Sequence, residues 1–77
     1  MAFNDKKYGA YDKCEDVVMG FGKHRDRTLR NILVDDPSYL NWLNDQQWFT
    51  ERSTNLSRAV AEMCRKYEAE IEKAIGD

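Results

Sequence analysis

An apolar stripe in the C-terminal third most constrains what this chain can fold into. Leu56, Val60, Met63, Tyr67, Ile71 and Ile75 recur every three or four residues, the spacing that places side chains on one face of an α-helix. It predicts one long helix over 55–74, capped by Thr54 or Asn55 and ended by Gly76. The opposite face carries Arg58, Glu62, Arg65, Lys66, Glu68, Glu70, Glu72 and Lys73. Charges spaced three and four apart make a solvated face with weak ion pairs. A stripe of this kind must be covered by other elements, and 77 residues supply only one small domain with one core.

A second helix is signalled by Asp35-Asp36-Pro37. Asp36 can accept backbone N–H bonds as a cap, and Pro37 suits the first helical position because its missing N–H had no partner there. The helix should run over 37–44 with Tyr39, Leu40, Trp42 and Leu43 on its apolar side. Trp42, Leu43, Val60, Met63 and Tyr67 are then expected to share the core. Leu29, Ile32 and Leu33 fit one further helical face.

Upstream the period changes. Val17, Met19 and Phe21 alternate with Val18 and Gly20, which reads as a strand over 17–21. Residues 23–27 become the tip of a hairpin, with Thr28 and Leu29 returning as a second strand or opening a helix. Residues 1–16 read as a flexible N-terminal segment or an edge strand around 7–11. Residues 17–77 read as a single small α+β domain: a short β-hairpin packed on about three helices, the C-terminal helix longest.

Charge locates the candidate site. The net charge is −2, so the chain as a whole is not drawn to nucleic acid or to an anionic membrane surface. Within 17–30, however, Lys23, Arg25, Arg27 and Arg30 face Asp26 alone, while 31–50 holds Asp35, Asp36 and Asp45 without a cation. The stretch GFGKHRDRTL is therefore the candidate anion site. Gly20 and Gly22 allow close backbone approach, and the cations can neutralise phosphates. A merely solubilising tip is the competing reading.

No catalytic constellation is legible. His24 is the single histidine, and it reads as an exposed tip residue without a nearby acid or nucleophile apart from Asp26. No metal or cofactor is expected: a helix start explains Asp35-Asp36, and Cys14 and Cys64 share no ligand spacing. Both read as ordinary reduced thiols, which fits a cytoplasmic setting. No apolar run reaches membrane-spanning length. Tyr39, Trp42 and Trp48 could each stack on a base. Helical spacing assigns Tyr39 and Trp42 to the core and leaves Trp48 open between core and base stacking.

Two coupled motifs carry a resemblance. Phe21-Gly22-Lys23-His24, closed by Leu29, is followed by Asp36-Pro37, Tyr39-Leu40 and Trp42-Leu43. Over about residues 17–50 this resembles the C-terminal module of exodeoxyribonuclease X-like exonucleases. It is also similar to a family of short, free-standing quorum-sensing-regulated virulence factors, many encoded by phages and bacteria. Asp26 departs from the pattern by standing where the family has a turn glycine. The resemblance implies a hairpin packed on helices and a role in contacting nucleic acid, DNA rather than RNA, beside a nuclease. On that reading the chain is not an enzyme but a non-catalytic nucleic-acid-binding module. Lys23, His24, Arg25, Arg27 and Arg30 are its phosphate contacts and Trp48 is a candidate stacking residue. The alternative is a small acidic effector that binds a host protein.

Overall fold

The computed structural model describes residues 7–52 and 54–76. Its elements are a 3₁₀ turn at Cys14–Asp16 and five helices: α1 (Leu29–Asp35), α2 (Pro37–Asn44), α3 (Gln47–Thr50), α4 (Asn55–Lys66) and α5 (Glu68–Ile75). The α+β expectation is overturned. Among the described residues there is no sheet and no hairpin, only isolated bridges between Tyr8 and Tyr11 and between Val18 and Thr28.

The strand expected over 17–21 has a physical reason for not forming. Val17 and Met19 are both buried, as period two requires, but the returning segment is diverted. The Thr28 hydroxyl accepts a hydrogen bond from the Asn31 backbone N–H at 3.1 Å and caps α1. A helix that starts at Leu29 leaves no extended chain to pair with. Met19–Arg27 is instead a loop closed by Met19 N–H to the Arg27 carbonyl and by Asp26 N–H to the Met19 carbonyl, both 2.9 Å. Phe21 leaves the line of Val17 and Met19 and packs edge-on against Trp48 and tilted against Phe49.

Residues 1–6 of the segment expected to be a loose start or edge strand lie outside the described residues. From Lys7 onward the chain is anchored: Tyr8 and Cys14 join the core, and Arg58 donates to the Lys7 carbonyl.

α2 forms where the sequence places it, with Pro37 in its first turn. It packs against α1, α3, α4 and α5, burying Leu40 and Leu43 completely. Trp42 does not join them, contrary to expectation: it is 50% exposed. On a helix at about 100° per residue, the Tyr39–Trp42 pair is rotated by about that angle from the Leu40–Leu43 pair. One pair faces the core and the other faces outward.

The long C-terminal helix is also corrected. Thr54 caps it by accepting from Ser57 N–H at 3.1 Å, but it breaks at Tyr67 into α4 and α5. Val60 and Met63 are fully buried on α4, and Ile71 is buried on α5. Gly76 follows α5 as its C-cap. No helix of the described residues is long and apolar enough to cross a membrane.

Candidate functional site

The loop is held against the start of α2 by one carboxylate. Asp36 Oδ2 accepts from His24 Nε2 at 3.1 Å and pairs with Lys23 Nζ at 3.2 Å. Its Oδ1 accepts from the Ser38 hydroxyl at 3.2 Å. The expected role of Asp36 as a side-chain cap is not realised, since the carboxylate makes no bond to the helix N–H groups. The His24 bond, with Lys23 adding, holds the Asp36 carboxyl below its ordinary value against the opposing effect of burial.

His24 is not an exposed tip residue. Its side chain is only 12% exposed, and its ring stands edge-on to Tyr39 with centroids 4.7 Å apart. Gly22 makes this packing possible. It adopts a positive φ of +80°, and a Cβ there would lie 3.0 Å from the Tyr39 hydroxyl. Asp26 occupies the second left-handed position of this loop, with φ of +70°. The backbone thus retains the turn at the position where a glycine is usual in the resembled pattern.

The remaining loop cations differ in their engagement. Arg27 pairs with Asp35 and Arg30 with Asp16, each at 2.8 Å and each half exposed. Arg25 is exposed and has no ion-pair partner among the described residues. The negative stretch read in the sequence is therefore folded back onto the positive one. Exposed pairs of this kind contribute about 0–1 kcal/mol each, so a phosphate could compete for these cations.

Lys23, Asp36, Ser38, Tyr39 and Trp42 line a cleft of about 370 Å³. Lys23 Nζ lies 5.5 Å from the centre of the Tyr39 ring, and Tyr39 and Trp42 lean together with centroids 5.6 Å apart and planes 33° apart. Trp48 stands elsewhere, half exposed and edge-on to Phe21 and Phe49. Sequence reasoning misses four members of the cleft: Asp36 reads as a cap, Tyr39 and Trp42 as core, and Ser38 carries no signal of its own. The available signal was the motif itself, which couples Lys23-His24 to Asp36, Tyr39 and Trp42 at fixed separation.

Residues 19–46 match the family described as exodeoxyribonuclease X-like C-terminal. The matched segment runs from the loop through α1 and α2, so it contains the whole cleft. It marks this part of the chain as similar to an exonuclease-associated domain. Neither the curated proteins nor the solved structures yield a match to the chain.

The chemistry available is limited by the neighbours of the imidazole. His24 and Asp36 form a pair, but the Ser38 hydroxyl donates to Asp36 and is not bonded to the ring. An activated nucleophile needs its hydroxyl or thiol within reach of the base. No group of three His, Cys, Asp or Glu that could hold a metal occurs among the described residues. Cys14 and Cys64 are free, and burial pushes both thiols up to about 11, well away from the reactive thiolate range.

Proposed function

We propose that this chain is a non-catalytic module that contacts nucleic acid, DNA in preference to RNA, in company with a nuclease. The observation that carries the reading is the loop of the family-matched segment. It offers Arg25 in the open, with Lys23 two residues away at the rim of an aromatic cleft. Lysine and arginine on a well-anchored loop can neutralise successive phosphates, and a net charge of −2 keeps that attraction local. Arg27 and Arg30 serve as further contacts when a phosphate displaces Asp35 or Asp16. His24 acts mainly by holding the loop to α2 through its hydrogen bond to Asp36.

Fluorescence anisotropy with a labelled single strand and a labelled duplex at low salt tests the reading. Binding that drops sharply in Lys23→Ala/Arg25→Ala protein is the expected outcome. The same oligonucleotides, incubated with and without divalent metal, should stay intact. Cleavage that is lost in His24→Ala protein would reverse the non-catalytic assignment. If neither nucleic acid binds, the alternative of a protein-binding effector leads. Its surface would be the exposed acids of α5, Glu68, Glu70 and Glu72.

A further inference from the structure

The cleft has features that a phosphate-binding loop does not need. Trp42 is half exposed, whereas Leu40 and Leu43 on the same helix are fully buried. Its neighbour Tyr39 is fixed from three sides: by the edge of His24, by Lys23 over its ring, and by the close approach of Gly22 to its hydroxyl. Trp42 leans on this fixed ring. The result is an aromatic platform whose orientation is set in advance, with the half-exposed Lys23–Asp36 ion pair beside it, from which a phosphate can draw Lys23. The cleft volume of about 370 Å³ lies in the range of small-ligand sites.

We infer that this cleft seats one unstacked base of a single-stranded nucleic acid, with Trp42 as the stacking surface and Lys23 on an adjoining phosphate. The inference rests on the nucleic-acid reading above and names the substrate class for it. An aromatic ring can stack only on a base face that is free, and in a duplex those faces are covered by neighbouring pairs. A cation beside an aromatic plane is what a base with its phosphate presents in complement. Stacking is also tolerant of sequence, since every base has a π-face. The site should therefore select single strands over duplexes without selecting sequence.

The test uses protein in which Trp48→Phe leaves Trp42 as the sole tryptophan. Titration with an unstructured single-stranded oligonucleotide should quench its fluorescence, and a matched duplex should bind at least tenfold more weakly. Trp42→Leu, which keeps apolar bulk but removes the ring, should weaken single-strand binding by about 5- to 150-fold, the range for loss of one stacked base. Trp42→Phe should retain most of it. Far-ultraviolet circular dichroism checks that each variant is folded. Equal affinity for single strand and duplex, together with unchanged binding in Trp42→Leu, overturns the base-seat inference while leaving the nucleic-acid reading in place. Absence of binding to either form overturns both.

Discussion

Asp36 shows how a single residue can serve a site that its local sequence does not reveal. Asp-Pro before an apolar run is a helix start, and α2 does begin there. Yet the carboxylate accepts from His24 and Ser38 and pairs with Lys23, a role set by contacts twelve residues upstream. Trp42 was misread for a different reason. Four apolar residues in an eight-residue helix make a broad side, and periodicity alone does not say which half is covered. The two roles separate in a thermal melt. Leu40→Ala, which opens a cavity at a fully buried position, should cost about 2–5 kcal/mol, whereas Trp42→Ala at its half-exposed position should cost clearly less. Equal losses would return Trp42 to the core. A second residue-scale prediction concerns Asp26, which holds a φ of +70° that glycine adopts without steric cost. Asp26→Gly should raise stability by about 0.5–1 kcal/mol, measured by denaturant midpoint. A lower midpoint would show that its side chain contributes more than its backbone strain removes.

At the scale of elements, α1, α2 and the helical run from Asn55 onward were legible, while α3, which reads as a connection, and the joins were not. The start of α2, the Thr54 cap and the Gly76 stop follow from residue types at helix ends. The break at Tyr67 does not, because neither proline nor glycine stands there. It falls where Lys66 Nζ and the Tyr67 hydroxyl both reach the Glu15 carboxylate, each at 2.5 Å. Glu15 lies in the 3₁₀ turn more than fifty residues upstream, so the convergence has no local signature. These hydrogen bonds, led by Lys66, hold the buried Glu15 carboxyl down at about 2 from its ordinary 4.5. A carboxylate whose folded pKa is depressed stabilises the fold at pH above its unfolded pKa and loses that contribution as the acid form fills. Wild-type stability should therefore fall as pH drops from about 4.5 towards 2, with Asp36 contributing in the same direction. Melting temperatures measured across that window should show a smaller pH dependence in Glu15→Gln than in wild type. Parallel curves would mean that Glu15 has no such share in acid unfolding. The strand over 17–21 failed at a join as well: alternation correctly placed Val17 and Met19 inside, but pairing depends on the partner segment, and Thr28 turned that segment into α1.

For the whole molecule, charge is arranged as a short basic loop set against its own acids. Asp16, Asp35 and Asp36 sit on Arg30, Arg27 and Lys23, which leaves Arg25 open among the described residues and Lys23 the next most available, with a side chain 65% exposed. The sequence revealed the two charged stretches but not that they fold onto each other, and this pairing lowers the number of phosphates the loop can meet at once. The salt dependence of single-strand binding measures that number directly, because each neutralised phosphate releases condensed counterion. With two cations engaged, log affinity against log salt should have a slope of about −1.4. Arg25→Ala should reduce it by about 0.7, and Asp35→Asn, which frees Arg27, should steepen it by a similar amount, about 0.7. A wild-type slope near zero, or one that neither substitution moves, would contradict a loop that binds nucleic acid through its phosphates.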